Sequence, residues 1–222
     1  MAANPSPRDA GLDYQAIIHR HLATIGGLRG DDVEDTADKV GSLPNCKKGD
    51  TRVLLAHDGM DVVAPPCVAV EIRDRKGDEF SLDDFQTMLR NREAQVGMVI
   101  ASQPAALPRQ YASQPFAISR PKRLITLALP DDLPGCQVVL AAAYSLAAFM
   151  ALDTVRKTHD GDWSEVARIA DAMQNVIEGM VEDQTAFNTI EKKAHDASQR
   201  SSRRHGELVR LITDLGGIIR SQ

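Results

Sequence analysis

Two acids and a base stand where chemistry could be done. Asp50 closes the run Lys47-Lys48-Gly49-Asp50, just ahead of the apolar stretch TRVLLAH (51–57). Twenty residues separate it from Glu71, which sits near the end of a second apolar stretch, CVAVEIRD (67–74), two positions before Arg73. In a strand, residues i and i+2 share a face, so Glu71 and Arg73 point the same way; neighbouring strands run ~5 Å apart. An acid at the start of one strand can therefore meet an acid on the next. Two carboxylates that close suit Mg²⁺, which takes oxygen ligands and keeps several waters. A cation at 73 would orient a water or neutralise a phosphate. The alternative is that both acids cap or solvate strand ends, where carboxylates usually sit.

The surrounding pattern supplies elements to position them. Residues 11–28 put Leu12, Ala16, Ile17, Leu22 and Ile25 roughly on one helical face, with Gly26-Gly27 as the expected stop. DDVEDTADKVGSLPN reads as a short strand or loop, and Pro65-Pro66 brakes the chain before the strand at 67–74. Ser81 is an N-cap with two acids in the following turn, so 81–95 reads as a helix. Gln86 on that helix is read as solvated. A buried strand at 96–102, a Pro-rich loop, and strands at FAIS and 123–129 follow. Beyond Pro130 only helical patterns remain, roughly 133–157, 163–182 and 184–214. The last is charged in its middle and lacks a sustained heptad, which suggests a long projecting or self-pairing helix. Its apolar residues Leu208, Leu211, Ile212, Leu215, Ile218 and Ile219 form a stripe that must be buried somewhere, in a homodimer, on a protein partner, or on residues 136–152. The domain reading is a disordered lead-in at 1–10, an α/β core at 11–130 and an all-α extension at 131–222.

Composition narrows the function classes. The chain has 222 residues, enough to bury a core. Its net charge is −5, so it has no global basic field. Aromatics are 4%, which argues against an aromatic platform for stacking bases. Basic residues cluster locally, at Lys47-Lys48, Arg73–Lys76, Arg90 to Arg92 and Arg120 to Arg123; each cluster is a phosphate contact or a solvated element end. Cys46, Cys67 and Cys136 form no CxxC pair, and the six histidines show no zinc-site spacing. A reducing, cytoplasmic setting is the expectation. Residues 136–152 carry no charge, but they are Ala-rich and at the short edge for a membrane span, so they read as a buried helix and no membrane partner is expected.

KKGD followed by VAVEIRDR, then SLDDFQTMLRNREAQVG and MVIASQP, resembles the PD-(D/E)XK nuclease superfamily, whose core is αβββαβ, over roughly residues 11–130. The C-terminal part is similar to a poorly characterised bacterial family in which a nuclease-like core precedes charged helices. The resemblance implies a restriction-endonuclease-like mixed sheet flanked by helices. It implies Asp50 and Glu71 as ligands of Mg²⁺ or Mn²⁺, with Arg73 as the third catalytic position. It further implies nucleic acid as the partner, held by Lys47, Lys48, Lys76, Arg90 and Arg92, and phosphodiester hydrolysis of DNA or RNA as the reaction. Two positions depart from the pattern. Arg73 stands where the superfamily has Lys, and Arg does not give up its proton. Gln15 stands where relatives often carry a Glu. The sequence thus leaves two readings, a divergent nuclease or a degenerate core that binds nucleic acid or a protein without cleaving.

Overall fold

The computed structural model describes residues 7–57, 62–74, 80–130, 136–155 and 163–220; side chains of 7–13 and of several positions in 163–220, among them 163, 173 and 208–220, lie outside that description. Residues 58–61, 75–79 with Lys76, 131–135 and 156–162 fall outside it as well. The chain divides into two compact units, residues 1–178 and 179–222.

The first unit is α/β. Helix α1 (Pro7–Arg29) is followed by strands β1 (Asp32–Asp35), β2 (Thr51–Leu54) and β3 (Cys67–Arg73), helix α2 (Leu82–Arg92), strands β4 (Val96–Ala101), β5 (Phe116–Ser119) and β6 (Leu124–Ala128), and helix α3 (Cys136–Val155). Helix α4 (Trp163–Arg220) begins in this unit and ends in the second. The six strands form one mixed sheet in the order β1-β2-β3-β4-β6-β5. β2 runs antiparallel to both of its neighbours, β1 and β3; β3, β4 and β6 run parallel, and β5 returns antiparallel on β6.

The central strands are buried on both faces, as their unbroken Val/Ile runs require: VGMVIA of β4 is buried at every position. On one face Phe85 and Met88 of α2 pack with Ala69, Val99, Ala101 and Leu124. α1 and α3 contact one another and both contact β3. α1 buries Tyr14, Ile18 and Leu22, an i, i+4, i+8 stripe; of the expected face Leu22 is buried, Ile17 and Ile25 are half-buried and Ala16 is exposed. The Tyr14 hydroxyl fixes that rotation by donating to the carbonyl of Leu129 at 2.8 Å. α1 also starts earlier than expected, inside the segment read as a lead-in.

Residues 136–155 are long and apolar enough to span a membrane by composition, yet eleven of them are buried. They contact α1, β3, β4 and β6. This helix is therefore a layer of the core and not part of a separate extension. A second correction concerns α4. The two helices expected on either side of position 183 are one uninterrupted helix. In the second unit the described side chains of that helix from 182 to 207 are all exposed. The apolar stripe from Leu208 to Ile219 lies outside the described side chains.

Candidate functional site

β2 and β3 are paired with Thr51 opposite Val70. Beyond that pair side chains join the last backbone bonds. The Asp50 N–H reaches back to the Val70 carbonyl at 2.8 Å, and the Asp50 carbonyl accepts from the Thr36 N–H at 2.8 Å. Asp50 Oδ2 then accepts the Ile72 N–H at 2.7 Å, while Glu71 Oε2 accepts the Gly49 N–H at 3.1 Å. Each carboxylate is thus bonded to the residue beside the other. The alternation of β3 puts Ala69, Glu71 and Arg73 on one face, and Ala69 belongs to the cluster under α2, so the pair faces the α2 side.

The pair is largely withdrawn from water, with Glu71 14% exposed and Arg73 20%. Burial pushes the Asp50 carboxyl up to about 6 and the Glu71 carboxyl up to about 7. The Asp50 charge raises Glu71 further, while the Gly49 N–H, Arg73 and Lys48 pull it down. Arg73 Nη1 stands 3.5 Å from Glu71 Oε1, and its guanidinium lies 5.4 Å from the centre of the Phe80 ring. The oxygens not held by backbone N–H groups are Asp50 Oδ1 and Glu71 Oε1, the latter facing Arg73. That donor set fits a hard divalent cation. Among the described residues no group of three or more His, Cys, Asp or Glu side chains converges, so such an ion would draw its other ligands from water or substrate.

The segment ahead of β2 is held by a residue that sequence reasoning placed at the surface. Arg92 is 4% exposed. Its Nε donates to the Gly49 carbonyl at 3.0 Å, and its Nη2 donates to the carbonyls of Thr36, Lys39 and Lys47 at 2.7, 2.9 and 3.0 Å. The expected phosphate contact is thus an internal clamp, because the non-sheet backbone of 36–49 has carbonyls that must be satisfied. Gly49 is tied to the same clamp. Its φ is +94°, and a Cβ there would meet Arg92 Cγ at 2.8 Å, so only glycine fits. Asn91 adds a second tie, donating to the Lys48 carbonyl at 2.9 Å.

The other expected basic residues disperse. Lys48 is bonded to Asp84 at the start of α2. Lys47 is mostly exposed, with Asp38 at 3.9 Å. Arg90 is exposed and its Nε returns to the Gln86 carbonyl at 3.4 Å, and Gln86 is itself solvated. Gln15 is half-buried on α1, next to the Tyr14 that reaches Leu129. The α1 contact to β2 comes instead from His19, whose Nδ1 lies 3.0 Å from the Thr51 hydroxyl.

Asp84 had a sequence signal, three residues after the cap Ser81. It accepts from the Ser81 N–H at 2.9 Å while the Ser81 hydroxyl accepts from the Asp84 N–H at 3.1 Å, a full capping box. The Lys48 and Ser81 bonds hold its carboxyl down at about 2. Asp84→Ala is expected to cost about 1–2 kcal/mol at neutral pH, the range for a lost cap. Because the folded pKa is depressed, this contribution is present above the unfolded value of 3.8 and disappears as pH falls through about 2. Urea titrations from pH 7 to pH 2 should show the gap between wild type and Asp84→Ala closing in that window; a gap that persists at pH 2 refutes the charged contribution.

No protein-family model, curated protein or solved structure matches this chain.

Proposed function

We propose that the chain is a divergent metal-dependent nuclease that hydrolyses phosphodiester bonds of DNA or RNA. The observation that carries the reading is the reciprocal pair, two adjoining carboxylates drawn out of water and held near neutral pKa beside one guanidinium. Buried acids with raised pKa values concentrate at functional sites. The element order α1-β1-β2-β3-α2-β4, with one acid entering β2 and the other near the end of β3, supports the reading, since it is the αβββαβ order of the PD-(D/E)XK core. The pair also lies toward the carboxyl end of β3 in a sheet whose central strands are parallel, where open α/β sheets place their ligands.

Asp50 and Glu71 would hold Mg²⁺ or Mn²⁺. Such an ion supplies Lewis-acid polarisation of a phosphoryl oxygen and a more acidic bound water. Arg73 would neutralise charge on the phosphate; a guanidinium does not serve as acceptor for the proton of the attacking water. Phe80 supports its guanidinium from one side. Lys47, exposed next to the pair in sequence, and the exposed Arg90 would contact the nucleic-acid backbone; Lys76 lies outside the described residues.

A second reading, a core that binds without cleaving, is favoured by one observation. The guanidinium of Arg73 already partly neutralises Glu71. Cleavage of single- and double-stranded DNA and RNA with Mg²⁺ or Mn²⁺ separates the two. The expected result is weak metal-dependent cleavage that Asp50→Ala abolishes and Arg73→Lys raises by about tenfold, a part of the ~10²–10⁴-fold that an acid–base group contributes. If wild type and Arg73→Lys both bind nucleic acid and neither cleaves with either ion, the binding reading replaces the nuclease.

A further inference from the structure

We propose that the C-terminal part of α4 is an interface for a second copy of this chain, pairing antiparallel along a seam centred at the level of Lys192. The inference is independent of what Asp50 and Glu71 do.

α4 runs without a break from Trp163 to Arg220. Phe187 is 66% exposed and Ile190 62%, two large apolar side chains three residues apart on one helix. Continuity reveals a register that a break at position 183 conceals. Alternating steps of three and four residues, the period of a left-handed coiled coil, run through Met180, Asp183, Phe187 and Ile190, and then through Ala194, Ala197, Ser201 and Arg204. The same steps continue to Leu208 and Leu211.

The two halves of the seam complement each other in reverse order. With the axis at Lys192, Ile190 faces Ala194 of the second copy and Phe187 faces Ala197, so each large side chain meets a small one, as close packing requires. Asp183 faces Ser201, which can donate its hydroxyl to the carboxylate. Met180 faces Arg204, whose aliphatic stem can cover it, one layer from Asp183 with its opposite charge. A two-fold antiparallel pair uses the same surface on both copies, the commonest form of self-association.

The parallel arrangement of the same helices fails at those positions. It would press Asp183 on Asp183 and Arg204 on Arg204 in the seam, and it would set Ala194 and Ala197 against themselves, leaving gaps beside a Phe187 pair. The antiparallel arrangement brings Glu191 and Lys193 near their own copies across the axis. Those positions flank the seam in water, where like charges are screened, so they weigh less than like charges enclosed by it.

Sedimentation of the full chain at micromolar concentration is expected to give the mass of two chains. Ile190→Asp should weaken dimerisation by at least about tenfold while leaving the sheet unit folded, because Ile190 is exposed. Orientation is read by disulfide trapping in a Cys46→Ser, Cys136→Ser background. Phe187→Cys chains mixed with Ala197→Cys chains should cross-link to each other, and neither should cross-link to itself. A monomeric wild type overturns the proposal, and so does a dimer insensitive to Ile190→Asp. Phe187→Cys chains that trap only one another overturn the antiparallel seam.

Discussion

Arg92→Ala is expected to destabilise the protein by roughly 3–5 kcal/mol and to release the segment that carries the candidate site. One guanidinium donates to four backbone carbonyls, those of Thr36, Lys39, Lys47 and Gly49, of which Thr36 also accepts the Lys39 N–H and Gly49 the Thr36 hydroxyl. A buried polar group left without its partner costs ~1–3 kcal/mol, and bonds to charged donors lie at the upper end. The four terms do not add, because a freed segment can turn some carbonyls to water. Arg92→Lys should recover little, since a single ammonium cannot span carbonyls that a planar five-donor group reaches together. Urea denaturation gives the stability loss. Amide exchange gives its location: the Thr36 N–H, bonded to the Asp50 carbonyl, should lose protection well before amides of β4. An Arg92→Ala variant within 1 kcal/mol of wild type, with Thr36 still protected, would show that the clamp is dispensable.

The legible parts of this fold are those whose signals are local. β3 and β4 announce themselves as Val/Ile runs bounded by turn residues, and α2 by Ser81 with an acid three positions on. The meeting of Asp50 with Glu71 was also legible, because one acid enters a strand and the other lies near the end of its antiparallel neighbour. What pairs them beyond reach of the sequence is the end of the ladder at Thr51. There each carboxylate takes over a hydrogen bond from backbone, which period-two alternation does not describe.

Non-local demands account for the rest. Arg92 reads as one basic residue among several on a helix end, and nothing within ten residues of it shows that the 36–49 segment needs donors. Gly26 and Gly27 read as a helix stop, yet α1 runs on to Arg29 and the left-handed residue that follows is Gly30, with φ +78°. Gly26 is there for proximity: a Cβ would lie 2.3 Å from Val33 Cγ2, so its absence lets α1 approach β1. The polar stretch at Glu182-Asp183-Gln184 reads as a break between helices only if every polar residue on an apolar period is a terminator. On a continuous helix Asp183 is one polar position in a seam, and the register on either side of it joins.

Glu71→Gln is expected to stabilise the protein in the absence of divalent ions, by roughly 1–3 kcal/mol. Gln is isosteric, so its amide oxygen can still accept the Gly49 N–H. What it removes is a charge that burial and Asp50 oppose more strongly than the Gly49 N–H, Arg73 and Lys48 favour it. A carboxyl held to about 7 in the fold, against 4.5 when unfolded, favours the fold fully below 4.5 and loses that favour as pH rises through about 7. Wild type should therefore lose stability across that interval in EDTA, and Glu71→Gln should lose less, so the gap between them opens with pH. Stability given up for a constellation of like charges is the usual signature of a site kept for what it binds. Mg²⁺ or Mn²⁺ should reverse the order, stabilising wild type by mass action and leaving Glu71→Gln unchanged. Thermal unfolding of both proteins at pH 5 and pH 8, with EDTA and with each ion, is a complete test. If the two ions shift wild type no more than they shift Glu71→Gln, the pair holds no metal. If in addition Glu71→Gln is the less stable protein in EDTA at pH 8, the two acids act as caps that complete the ends of β2 and β3.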